Sequence, residues 1–304
     1  MALNVSSLVR VPVERAARGT SLTVAMAFES RVWTDDEVRL VENVAALVRT
    51  TLESARIQQR ERNIAQQLQI ALQPVPPDNL PGLALQGFYR PALAEAGVGG
   101  DFYDVFALDK GCTALVVGDL SGKGLAAASE VATVRNMVRY ALYSSSTVAD
   151  AIAGVDHVLA ERNLLRGFST LFVGVYDAAA RSLTYVNCGQ EPGLLWRKAN
   201  GEINYLLPTG AVLGGFESDQ KYEQETVLLA SGDVLALFTD GLTEVGPSRK
   251  EQLEIEGVCS VLRACCADGV REPKTALECL IAGVDDFARG GVRDDIALLV
   301  GVAE

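Results

Sequence analysis

Three short runs decide how this chain folds: LALQGFYR at 83–90, DFYDVFAL at 101–108 and TALVVGDL at 113–120. Each is rich in apolar, aromatic or β-branched residues and is bounded by glycine, proline or aspartate, the pattern of strands joined by turns. Beyond them the apolar spacing becomes helical, through AAASEVATVRNMVRYAL (126–142) and TVADAIAGVDHVLAERN (147–163). Strands resume at FSTLFVGVYD (168–177), SLTYVNCG (182–189), GLLWRK (193–198) and GDVLALFTDG (232–241). Helical stretches at 255–267 and 274–290 then lead to a last strand, DDIALLVGV (294–302). Strand runs at hairpin spacing, followed by helices, predict an α+β fold with antiparallel sheet rather than a repeated βαβ unit.

Upstream, SLVRVPV and SLTVAMAF read as two short strands, and TDDE supplies a capping box with Thr34 as N-cap and Glu37 at the third helical position. Val38, Val41, Val44, Val48, Leu52 and Ala55 then mark one face of a helix. From Arg56 the sequence RIQQRERNIAQQLQIALQ turns polar, with Ile64, Leu68 and Ala71 at three-four spacing, and Pro74, Pro76 and Pro77 end it. This predicts three parts: a partial segment over 1–55, a linker helix and proline break over 56–76, able to pair with a second copy, and the main domain over 77–304.

The chain has 304 residues, a net charge of −12 and a single histidine. The length permits a large buried core. The acidic balance opposes nucleic-acid binding, which needs clustered Lys and Arg. Six scattered cysteines, with no C-x-x-C pair, read as reduced, packed thiols. With no secretory h-region and no long apolar run, the expectation is a soluble cytoplasmic protein without a membrane segment. His157 sits on a helical pattern and reads as a surface or structural residue, so a Ser-His-Asp triad is disfavoured.

The chemistry lies in aspartates at strand ends: Asp101 and Asp104 in GVGGDFYD, Asp119 in LVVGDLSGKG, Asp240 in LALFTDGLTE, and Asp294 and Asp295 in GVRDDIALLV. Glycine beside a strand-end aspartate lets carboxylates converge and exposes backbone carbonyls. Hard oxygen donors in this number suit Mg²⁺ or Mn²⁺, which can activate water toward a phosphate ester. Each motif alone is equally a turn. SGKG is not a P-loop, because Gly118 and Gly122 have only three residues between them and Lys123 is followed by Gly124.

Taken in order, GGDFYD, GDLSGKGLAAA, STLFVGVYD, NCGQEPGLL, PTGAVLGGFE, ASGDVLALFTDGLTE and RDDIALLV resemble the PPM-type metal-dependent serine/threonine phosphatases, in their bacterial SpoIIE/RsbU-like branch. The resemblance spans about 64–302. It implies a central sandwich of two antiparallel sheets with helices on both outer faces and a cleft at one end holding two Mn²⁺ or Mg²⁺ ions. Carried onto this chain, Asp119 bridges the metals and Leu120 offers its backbone carbonyl. Asp101 serves the second metal, and Asp240 and Asp294 bind the first, so that Asp101 and Asp119 are the catalytic pair. Asp104 and Asp295 could instead orient water, cap a strand or be solvated.

Where relatives show a histidine, this chain has Gln190, followed by Glu191. No phosphate-gripping arginine is identified, and Arg90, Arg135 and Arg293 read as surface charges. The resemblance further implies dephosphorylation of a STAS-type anti-sigma-factor antagonist. Residues 1–55 resemble the tail of a GAF sensor domain. Two alternatives stand beside this: a non-catalytic metal- or partner-binding module of the same fold, and a hydrolase of small phosphate esters or nucleotides.

Overall fold

The computed structural model describes residues 5–13, 20–27, 30–72, 76–77, 80–91, 99–122, 124–215, 221–248, 250–267, 269–289 and 292–304. Pro74 and Lys123, and the side chains of Leu68 and Ala71, lie outside the described residues. The chain divides into two compact units, 1–64 and 65–304.

In the first unit β1 (Val5–Pro12) and β2 (Ser21–Ala27) form an antiparallel pair, followed by α1 (Asp35–Leu72). The capping box forms as expected: the Thr34 N–H donates to Glu37 Oε2 at 3.0 Å, and the Glu37 N–H to Thr34 Oγ1 at 3.4 Å. Arg49 ties helix to hairpin through the Val13 and Pro12 carbonyls, at 2.7 and 2.9 Å. The covered stripe is Val38, Val41, Ala45, Val48 and Leu52, whereas Val44 and Ala55 are exposed. Ala45 thus takes the place expected for Val44, because 38, 41, 45, 48 and 52 alternate steps of three and four throughout, whereas two successive steps of three carry 44 off that face.

The second unit contains two five-stranded antiparallel sheets. One is ordered β10-β7-β6-β5-β4, from β4 (Phe102–Ala107), β5 (Cys112–Leu120), β6 (Ser169–Asp177), β7 (Ser182–Cys188) and β10 (Glu225–Leu228). The other is ordered β3-β12-β11-β8-β9, from β3 (Leu83–Arg90), β8 (Gly193–Trp196), β9 (Ile203–Leu206), β11 (Val234–Phe238) and β12 (Ile296–Ala303). The two four-residue strands β9 and β10 are additions to the sequence reading.

Alternation of side chains along the strands builds three apolar layers. Tyr103, Val105, Leu115, Val117, Phe172, Leu237 and Leu299 fill the space between the sheets. On the outer face of the first sheet, Phe102, Phe106, Val116 and Val173 pack against α2 (Leu125–Ser144) and α3 (Val148–Glu161). On that of the second, Trp196, Phe238, Leu298 and Val300 pack against α4 (Glu254–Cys266) and α5 (Pro273–Ala288). This is the helix-sheet-sheet-helix sandwich expected from the sequence.

The reading of all six cysteines as reduced thiols is corrected. Cys265 on α4 and Cys279 on α5 form a disulfide with Cα atoms 5.8 Å apart, and Cys112, Cys188, Cys259 and Cys266 are free. Two helices packed side by side bring together cysteines that no local motif connects. His157 is on the exposed face of α3, 3.9 Å from Glu161, in keeping with a surface role. Among the described residues no helix is long and apolar enough to cross a membrane.

Candidate metal centre

The space between the sheets opens, where β4 begins and β5 ends, into an acidic cleft. Asp119, the penultimate residue of β5, shares the inward face of Leu115 and Val117. Asp101 immediately precedes β4 and shares the inward face of Tyr103 and Val105. From the opposite sheet, β11 ends at Phe238 and a 3-10 turn over Asp240–Leu242 presents Asp240. One carboxylate oxygen from each of Asp101, Asp119 and Asp240 lies within 4.8 Å of the others.

Two glycines permit this approach. A Cβ on Gly100 would run into the Leu120 carbonyl oxygen, and one on Gly241 into the Asp295 carbonyl oxygen. The Leu120 N–H donates to the Gly100 carbonyl at 3.2 Å. The Leu120 carbonyl is therefore packed against the residue that precedes Asp101.

The electrostatics are one-sided. Burial raises the Asp101 carboxyl well above its usual range, and Asp119 and Asp295 push it further. The Thr239 hydroxyl opposes this by donating to Asp101 Oδ2 at 2.5 Å, while it accepts the Ala297 N–H at 2.9 Å. Asp240 is raised to about 7, by burial first and then by Asp119, Glu244, Asp294 and Glu191. Every charged group behind these two shifts is a carboxylate. Asp294 belongs to this field without joining the three-carboxylate cluster, and its Oδ1 accepts the Asp295 N–H at 2.9 Å. Glu191 is raised by burial and by Glu244, and accepts a hydrogen bond from Thr243 Oγ1 at 3.2 Å.

Of the residues left open, Asp104 is separate from this centre. It is fully buried on the opposite face of β4 and pairs with Arg139 of α2, Nε to Oδ2 at 2.5 Å and Nη2 to Oδ1 at 2.6 Å. Asp295 is buried, accepts from the Tyr89 hydroxyl, and adds negative field at Asp101. Of the three arginines read as surface charges, Arg90 pairs with Asp285 near the surface. Arg135 and Arg293, like Arg90, are partly buried, and Arg293 donates to the Gly246 carbonyl at 2.8 Å.

Thr239, Glu191 and Glu244 were not singled out as site residues by the sequence. Thr239 adjoins Asp240 and could have been found as the inward neighbour in the alternation of β11; Glu244 follows Asp240 in the same turn, its N–H donating to the Asp240 carbonyl at 2.9 Å, and only Glu191 reaches the cleft through tertiary packing.

Converging hard oxygens at 4.8 Å or less, held in mutual repulsion, fit a divalent cation of the Mg²⁺ or Mn²⁺ type. An isolated group of carboxylates this close holds protons or a cation; it does not stay fully ionised alone.

The sequence profile of the family described as Stage II sporulation protein E (SpoIIE) matches residues 109–301. Phosphoserine phosphatase RsbU of Bacillus subtilis is 30% identical over 149 residues, which cover 48% of this chain and 43% of that protein. The chain spans less than half the length of the curated relatives it matches, 32% for Protein IcfG of Synechocystis and 43% for RsbU. Among solved structures, the RsbU and RsbW domains of Rv1364c from Mycobacterium tuberculosis share 26% identity at a TM-score of 0.63, over 74% of this chain and 62% of that one. RsbX, crystallised in complex with magnesium, shares the fold at 21% identity and a TM-score of 0.55, over 73% of this chain and 96% of that one.

Proposed function

Because the chain belongs to the SpoIIE family, in the SpoIIE/RsbU-like branch of the PPM phosphatases, we propose that it is a divalent-metal-dependent phosphatase of phosphoserine or phosphothreonine in a small regulatory protein. The observation that carries this reading is the convergence of Asp101, Asp119 and Asp240 within 4.8 Å in a field set by carboxylates.

In this reading Asp101, Asp119, the Leu120 carbonyl, Asp240 and Asp294 would hold two Mn²⁺ or Mg²⁺ ions, with Asp101 and Asp119 as the catalytic pair. The ions, when bound, would supply Lewis acidity and an activated water for hydrolysis of a phosphate ester. The chain's own residues position and tune. Thr239 fixes the rotamer of Asp101 by donating to it, Gly100 keeps the Leu120 carbonyl at the cleft, and Glu191 and Glu244 raise the negative potential around Asp240.

The substrate class rests on resemblance, supported by the RsbU likeness: a phosphorylated STAS-type anti-sigma-factor antagonist, in the cytoplasm, within sigma-factor regulation. Residues 1–55 act as a partial, GAF-tail-like sensor segment, and the helix beyond it transmits a signal to the domain over 77–304. Homodimerisation through α1 is supported by a second, exposed apolar stripe at Leu40, Val44 and Leu47.

The test is phosphate release from a phosphoserine-containing protein and from a generic phosphate ester, with Mn²⁺ and with chelator, beside Asp119→Ala and Asp240→Asn. Metal-dependent release that both substitutions abolish is the expected result. Mn²⁺ binding without release from either substrate would favour a non-catalytic binding module.

A further inference from the structure

The connection from β7 to β8 crosses from one sheet to the other beside the acidic cleft. Asn187, fully buried at the end of β7, organises it. Its Oδ1 accepts the Gln190 N–H at 2.8 Å, and its Nδ2 donates to the Glu191 and Leu206 carbonyls, each at 3.3 Å. Gln190 is thereby held with only 4% of its surface exposed.

The Gln190 carboxamide is half satisfied. Its Oε1 accepts from the Thr170 hydroxyl at 3.1 Å and from the Glu191 backbone N–H at 3.1 Å. A backbone N–H can only donate, so the atom facing it must be the oxygen, and the orientation of the amide is fixed by chemistry. That leaves Nε2 buried and without a partner. A buried donor of this kind calls for completion by a water, an ion or a ligand.

Its surroundings say which ligand. Thr170 is the direct cross-strand partner of Asp119, so the two side chains share one face with Cβ atoms about 5 Å apart. On the other flank, Glu191 accepts from Thr243, in the turn that follows Asp240, and its charge is felt by Asp240. The amide is therefore bonded to the cross-strand neighbour of Asp119, and the residue after it reaches the turn that follows Asp240.

We propose that Gln190 is a substrate-binding residue, whose Nε2 donates a hydrogen bond to a non-bridging oxygen of the phosphoryl group in this cleft. The proposal rests on the phosphatase reading and names one of its phosphate contacts. A phosphate dianion entering a carboxylate-lined cleft needs donors besides the cations. A Lys or Arg there would pair with the aspartates and compete with the metal, whereas a neutral amide gives a donor and leaves the carboxylates to the cations.

The experiment is calorimetric titration of inorganic phosphate into the Mn²⁺-loaded full chain, wild type beside Gln190→Glu and Gln190→Met, with Mn²⁺ affinity and thermal unfolding measured on the same samples. Gln190→Glu keeps the size and the acceptor for Thr170 and Glu191 while removing the donor, so it reports even where Gln190→Met does not fold. The expected result is a phosphate affinity lowered about 10- to 100-fold in the folded variants, with Mn²⁺ affinity not reduced. KM for a phosphoserine peptide should rise in parallel. Phosphate affinity unchanged in Gln190→Glu, no phosphate binding to the Mn²⁺-loaded wild type, or a matching loss of Mn²⁺ affinity would overturn the proposal. Gln190-dependent phosphate binding without turnover would instead refute the phosphatase reading and leave the donor assignment standing.

Discussion

Asp101 and Asp104 lie three residues apart at the start of one strand, both at 3% exposure or less, yet they inhabit opposite electrostatic worlds. Asp104, on the outer face of β4, is matched by the forked guanidinium of Arg139, which in turn stacks 4.5 Å over the Phe106 ring. Asp101, on the inner face, shares its cleft with Asp119, Asp240 and Asp295, and is eased by the Thr239 hydroxyl, which donates to it. Burial is the same in both places; compensation is what differs. A buried carboxylate paired to an arginine belongs to the scaffold, whereas carboxylates gathered side by side form a site suited to a divalent ion.

The largest expected effect breaks the uncompensated side. Asp119→Ala removes one of the three clustered carboxylates, and metal-dependent phosphate release should fall by at least about 10³-fold, well beyond the 10–100-fold typical of groups that only support a ligand. Steady-state assay across a Mn²⁺ series checks this. Next, the compensated side: Asp104→Ala strands the Arg139 guanidinium and should cost roughly 2–3 kcal/mol in urea unfolding, by the same amount with Mn²⁺ or chelator present. Gly100→Ala tests the join between the two, since a Cβ there displaces the Leu120 carbonyl. Mn²⁺ affinity should weaken about 10- to 100-fold by calorimetry, with the sandwich intact by circular dichroism.

The smallest effect sharpens the contrast through pH. The Asp240 carboxyl is raised from 3.8 to about 7 in the folded, metal-free chain, so between those values the folded state binds a proton that the unfolded state lacks. Stability of the chelated protein should therefore fall as pH rises through this window and level off above it. Asp240→Asn should flatten that slope and stabilise the chelated protein near neutral pH, on the order of 1–2 kcal/mol after allowance for solvent screening. Thermal unfolding from acid to neutral pH measures both, and saturating Mn²⁺ should reverse the trend, because the ion requires the deprotonated carboxylates.

Much of this was legible before any coordinates. The strands of both sheets announce themselves because each buries at least one whole face, and the aspartates stand out because they interrupt apolar runs at strand ends beside glycine. The exceptions have physical causes. β9 and β10 are four-residue edge strands with exposed positions, too short and too polar to show alternation. The Cys265–Cys279 bridge joins residues 14 apart on different helices, which no spacing rule reveals. Asp104 looked like a partner of Asp101 because both precede or enter the same strand; only the alternation, read together with Arg139 one layer away, separates them. The unpaired amide of Gln190 depends on the cross-strand register of Thr170 with Asp119, and a linear sequence does not carry that register.

The central claim is that the clustered carboxylates hold divalent cations because they converge within 4.8 Å in a field that other carboxylates make more negative. Calorimetric titration of Mn²⁺ into the wild-type chain near neutral pH, in two buffers of different ionisation enthalpy and beside Asp240→Asn and Asp104→Asn, tests it most directly. The account predicts saturable binding with net proton release in the wild type and in folded Asp104→Asn, and weakened binding with less proton release in Asp240→Asn, where Asp101 remains to be deprotonated. Absence of saturable binding in the wild type, or equal binding with equal proton release in Asp240→Asn, would contradict it.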